Sequence, residues 1–202
     1  MATATATANI NKKTFQQQNR PLFGVYMNSV LTMKVNLSIN EVGKNIKQNL
    51  EYVISKKTEG RCIKEGFVKP NSIRLLTYSS GVVQGDVIVF ETVFECKLCN
   101  PVEGMNISDC VAKTITKAGI HAEVIDTDGV IPVTIFIARD HHFQDKLFSS
   151  VVEGAKINVR VIGSRFELND PYICVIAKLI EPQSDKGQGQ FGTKRPITIL
   201  EE

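Results

Sequence analysis

Two patterns of apolar spacing meet near residue 100. Before it, a β-rich stretch from Leu22 to Leu37 carries Val25, Val30, Leu31, Val35 and Leu37 as candidate core contacts. Ser38-Ile39-Asn40-Glu41 then has the capping-box pattern, with a hydroxyl and a carboxylate three residues apart. Behind it Val42, Ile46, Leu50, Val53 and Ile54 fall on one face at helical spacing, and Lys44, Lys47 and Glu51 fall elsewhere. This spacing predicts a helix that stops near Glu59-Gly60. Three β-like segments follow, Arg61 to Val68, Ser72 to Ser79 and Val82 to Cys96, separated by Pro70-Asn71 and Ser80-Gly81. A strand, a helix and an antiparallel sheet make a compact α+β unit.

Asn100-Pro101-Val102-Glu103-Gly104 reads as a hinge, and past it the period becomes two throughout. Strands are predicted over Asn106 to Thr116, Ile120 to Ile125, Val130 to Ala138, Lys156 to Phe166 and Tyr172 to Ile180. Lys117-Ala118-Gly119, Asp126-Thr127-Asp128-Gly129 and Asn169-Asp170-Pro171 supply turns, and the polar stretch Arg139 to Ser149 suits a short helix. Five strands with a helical insert between the third and fourth describe a small Greek-key barrel of the OB type. The expected organisation is a tail over 1–20, a helix-plus-sheet domain over 21–99, an all-β barrel over 100–182 and a second tail over 183–202. Both tails are low in complexity, with an Ala-Thr repeat at one end and a Gly- and Gln-rich run at the other.

Composition narrows the function. Of 202 residues 43% are hydrophobic and 22% charged, the make-up of an ordinary globular protein. A net charge of +3 permits contact with nucleic acid without arguing for it. No apolar run approaches the roughly 18 residues that a bilayer span needs. The opening MATATATANINKK has no apolar core of a secretory signal, although its Thr-rich, acid-poor character is faintly that of a transit peptide. The expectation is an intracellular protein. Five cysteines, an odd number scattered through apolar segments, fit reduced buried thiols better than a disulfide framework.

Certain residues of the barrel half resemble an S1-type OB domain: Gly104 opening the first strand, the run ITKAGIHAEV, the strand end VTIFIARD, EGAKINVRVIG and the closing ICVIAKLI. The first half resembles the tip domain of the stalk subunit of multisubunit DNA-directed RNA polymerases. That family includes the seventh subunit of eukaryotic polymerase II and its archaeal counterpart. The matching residues are Thr58-Glu59-Gly60-Arg61-Cys62, then Gly66-Phe67-Val68, and the strand Val89 to Cys96 that runs into the barrel. The resemblance covers roughly 22–182 and rests more on domain order than on any one motif. It implies a non-catalytic subunit without cofactor, partnered by the polymerase core subunits, by a second stalk subunit and by single-stranded RNA. It implies the nucleus for a cellular protein. The Asn, Ile and Lys usage and the distance from cellular sequences point instead to a large DNA virus, hence virion and host cytoplasm, or to a divergent protist. A free-standing S1 RNA-binding protein of translation or RNA decay is the alternative. An enzyme with an OB appendage would need an acidic cluster for paired metals, and none is visible.

Alternation turns Ile120, Ala122 and Val124 inward and His121 and Glu123 outward, and likewise Val133, Ile135 and Ile137 inward and Thr134, Phe136 and Ala138 outward. The resemblance assigns base-stacking positions to His121 and Phe136. Lys117, Arg139, His141, His142 and Lys146 cluster near the same edge, where phosphates would be met. A plain solvated rim, with Phe136 covered by the first domain, is the competing reading. Leu22, Phe23, Val25 and Tyr26 are expected to dock on the polymerase if the family analogy holds, and they suit the first strand's core face equally. Cys96-x-x-Cys99 lacks the second ligand pair that structural zinc needs, so two ordinary thiols are expected there and no metal. The adjacent His141 and His142 accompany no nucleophile motif.

Overall fold

The computed structural model describes residues 24–142 and 146–181. Its first strand, β1 (Tyr26–Ser38), pairs along its whole length with β6 (Val87–Cys99), from Tyr26 opposite Cys99 to Ser38 opposite Val87. Helix α1 (Ile46–Thr58) lies between them in sequence. The capping box is present, but it closes a single 3-10 turn, Ile39–Glu41, and α1 begins only after Gly43. There the Ser38 amide and hydroxyl both donate to the Glu41 carboxylate at 2.9 Å. Lys56 and Lys57 in the last turn of α1 sit at the negative end of its dipole.

The segment predicted as one strand over Arg61 to Val68 is a hairpin, β2 (Cys62–Ile63) and β3 (Gly66–Val68). The run Val82 to Cys96 is likewise two strands, β5 (Val82–Gln84) and β6, because Gly85 takes a left-handed φ of 60° and reverses the chain. With β4 (Arg74–Tyr78) these form a six-stranded sheet built around β6. Leu50 and Ile54 of α1 pack with Val35, Leu37, Leu75, Phe90 and Phe94 in one buried cluster. Truncating such a side chain costs about 2–5 kcal/mol.

The second half is a closed barrel in the order β10-β11-β9-β8-β7. Its strands are β7 (Asn106–Ile115), β8 (Gly119–Val124), β9 (Val133–Ala138), β10 (Lys156–Arg165) and β11 (Ile173–Ile180). All neighbours are antiparallel except β9 and β11, whose parallel pairing closes the ring. This arrangement is consistent with the OB type. Register shifts at Ala112/Thr114, Ile157/Val159 and Val161/Gly163 bend the strands enough to close it. A 3-10 turn (Arg139–His142) and the short helix α2 (Lys146–Ser150) cover one end, with Phe148 buried beneath.

The predicted hinge is a pinned crossing. Pro101 is buried, and the Gly104 amide donates to the Val161 carbonyl at 2.9 Å. Val25, Cys62, Phe67 and Cys99 from the first half pack into the barrel's own cluster. Backbone bonds tie the same surfaces: the Cys62 amide donates to Asp170 and the Asn169 amide to Cys62, each at 2.8 Å. Val25 is therefore an inward residue, not an exposed docking side chain. Tyr26 is half-buried, with Lys69 Nζ 5.4 Å from its ring centroid. Leu22 and Phe23 lie outside the described residues.

Candidate nucleic-acid interface

Barrel strands alternate inward and outward, and the observed burial follows that rule in β8 and β9. Ile120, Ala122, Val124, Val133, Ile135 and Ile137 are buried. His121 is exposed, and Glu123, Thr134 and Phe136 are half-exposed. The register then lines up side chains from different strands. His121 stands opposite Phe136, Phe136 opposite Ile176 and Ile176 opposite Gly163. One step along, Glu123 stands opposite Thr134, Thr134 opposite Cys174 and Cys174 opposite Arg165.

These two rows floor an open groove of about 590 Å³, with Lys113 at the β7 end, Arg165 at the β10 end and Tyr172 at its margin. The His121 and Phe136 rings lie 4.8 Å apart at a 46° tilt, an aromatic surface on which a flat base would rest. Gly119 makes the packing possible. A Cβ there would run into the Ile137 carbonyl oxygen and touch the Phe136 ring at 3.0 Å.

Lys117, Arg139, His141, His142 and Lys146 are not among the residues that line this groove. Lys117 is exposed at the β7–β8 turn, and Arg139 is tied beside it, donating to the Lys117 carbonyl at 2.9 Å. The Arg139 guanidinium also sits 5.1 Å from the Phe148 ring centroid. His141 and Lys146 are exposed on the covering turn and helix. His142 is corrected outright. It is 5% exposed and stacks on Phe148 with ring centroids 5.2 Å apart. Its Nε2 accepts the Leu179 amide at 2.9 Å, so Nδ1 carries the proton and donates to the Ala138 carbonyl at 3.0 Å. Both ring nitrogens are spent inside the protein, and no phosphate meets them.

Sequence reasoning missed Lys113, Arg165, Tyr172 and Ile176. The outward alternation of β10 and β11 was available as a signal. Their convergence on the groove was not, because it depends on which strands are neighbours.

Cys96 and Cys99 face opposite sides of β6, as residues three apart on a strand must. Cys96 packs with α1's cluster and Cys99 with the barrel's. Burial pushes these thiols up, to about 11 for Cys96 and about 12 for Cys99. Among the described residues no group of three His, Cys, Asp or Glu side chains is placed to hold a metal ion. Among them, too, no helix is long and apolar enough to cross a membrane.

A protein of Acanthamoeba polyphaga mimivirus, provisionally named as a DNA-directed RNA polymerase subunit, is 24% identical over 174 residues. The match takes in 78% of this chain and 83% of the relative. The likeness is to a viral protein with that name. No family model matches the chain.

Proposed function

We propose that this chain is a non-catalytic stalk subunit of a DNA-dependent RNA polymerase, with the first half docking on the core enzyme and the barrel holding nascent RNA. The observation that carries the reading is the similarity to the mimivirus protein, which spans both halves of the chain. The groove supports the RNA part: a paired ring surface faces outward with a cation at each end, and stacking on exposed rings tolerates any base.

In this reading the docking surface belongs to the first half, over 21–99, and includes its six-stranded sheet. Val30 of β1 and Val82 of β5 are exposed apolar side chains on the sheet's face away from α1, paired with Glu95 and Val89 of β6. They are suited to burial against a polymerase core subunit. A second stalk subunit is a further partner in the proposal. The viral relative also favours a viral source, with the protein in virion and host cytoplasm.

The test is recovery of the tagged chain from its native cells or infected culture, followed by mass spectrometry of what co-elutes. Stoichiometric large polymerase subunits are expected. Ribosomes or exonucleases without polymerase would sink the proposal and favour a free RNA-binding protein.

A further inference from the structure

The middle of the groove's second row has the wrong chemistry for phosphate, although Arg165 stands at its end. At its centre are the carboxylate of Glu123 and the hydroxyl of Thr134, directly opposite each other on β8 and β9. Glu123 follows His121 by two residues on the same face, and Thr134 precedes Phe136 by two. This sets the polar row about 7 Å from the ring pair at strand rise. A carboxylate repels a phosphate backbone, so in a groove that stacks bases its natural partner is a base edge that donates hydrogen bonds. Lys113 lies 3.5 Å from Glu123, and both side chains remain partly exposed. An ion pair in that setting contributes little to stability, so a ligand that draws Glu123 away from Lys113 costs the fold little.

We propose that Glu123 makes this groove selective for guanine. This inference rests on the RNA-binding reading above and goes beyond it by naming the base. A base lying on Phe136 and His121 extends its edge over the neighbouring row. Guanine presents two adjacent donors there, the N1 and N2 hydrogens, which match the two oxygens of one carboxylate in a bidentate pair. Uracil presents a single N3 hydrogen flanked by two carbonyl oxygens, and these face the carboxylate unfavourably. Lys113 limits the sweep of the Glu123 side chain, and Thr134 offers a hydroxyl that donates to or accepts from the same base.

The experiment is fluorescence anisotropy with the full chain and three labelled RNAs. One is a uridine decamer, one the same decamer with two central guanosines, and one with two central inosines, which lack the 2-amino group. The wild type is expected to bind the guanosine decamer about tenfold more tightly than the uridine decamer, within the range for one bidentate base contact. Inosine should forfeit much of that gain. Glu123→Gln should bring the guanosine and uridine affinities to within about twofold of each other, since its amide replaces one of the two acceptor oxygens with an NH2 donor that opposes the guanine donors. Equal binding of guanosine and uridine by the wild type would overturn the proposal while leaving RNA binding intact. A tenfold preference retained in Glu123→Gln would overturn it as well. No binding of any of the three would remove the RNA-binding reading, and this inference with it.

Discussion

Lys69 Nζ lies 2.5 Å from Asp126 Oδ2, joining the end of β3 to the turn between β8 and β9. The same ammonium is 2.8 Å from Asp128, and Asp126 further accepts the Thr127 amide. Asp126 is almost wholly buried and Asp128 is open to solvent. This ion pair fastens the sheet of the first half to the barrel, beside the packing of Val25, Phe67 and Cys99. The groove therefore has a set orientation relative to the sheet.

Replacing Lys69 with Met is expected to cost about 3 kcal/mol, the scale for leaving one buried charge unpaired. Burial by itself raises the Asp126 carboxyl, but the bonds from Lys69 and Thr127 outweigh it and hold it below its ordinary 3.8. A depressed acid stabilises the fold above its unfolded value and loses that contribution as pH falls through the folded value. Lys69 is opposed by burial but raised above its ordinary 10.5 by its two carboxylates, so its contribution is lost only at more alkaline pH. Urea unfolding should show a constant gap between wild type and Lys69→Met through neutral pH. That gap should close below pH 3.8. A gap that persists in acid would mean the ion pair is not its source.

The double variant His121→Ala, Phe136→Ala removes the ring surface without touching the sheet. Stacking contributes about 1–3 kcal/mol per base, so RNA affinity should fall at least about fivefold. Recovery of polymerase subunits with the variant should be unchanged. Loss of both would refute a division of labour between the halves. Wild-type binding should also fall with salt, as phosphate contacts release counterions.

His142→Phe separates structure from binding. The substitution strands the Leu179 amide inside the barrel, at a cost of about 1–3 kcal/mol. Thermal unfolding should shift accordingly, and RNA affinity should not. A loss of affinity in a folded variant would return His142 to the interface.

Gly119→Ala tests the support beneath Phe136. The added methyl meets the Ile137 carbonyl oxygen and the Phe136 ring, so the strand or the ring must move. A lower melting temperature and weakened RNA binding are expected together. Wild-type behaviour in both assays would show that Phe136 does not depend on this contact.

The elements differ in how legible they are. The helix is visible because Ile46, Leu50, Val53 and Ile54 repeat at its own period, and its end near Thr58 follows from Glu59-Gly60. Its start is not where the capping box points. Ser38 and Glu41 do interact, but their local bond is equally satisfied by a 3-10 turn, and Val42 leaves it with an extended backbone. The hairpin within Arg61 to Val68 is hidden because two- and three-residue strands leave too short a pattern to read.

By itself the sequence determined which side chains of β8 and β9 face outward, because alternation is a property of the extended backbone and needs no partner. It also determined that His121 and Phe136 share one kind of surface. Only the tertiary structure decided that they touch, and that Lys113, Glu123, Arg165 and Tyr172 surround them. The parallel closure of β9 on β11 joins Phe136 to Ile176, forty residues away along the chain. Tertiary packing also withdrew His142 and Val25 from the surface. Burial there depends on Phe148, Leu179 and the barrel core arriving from elsewhere, and no local pattern carries that information.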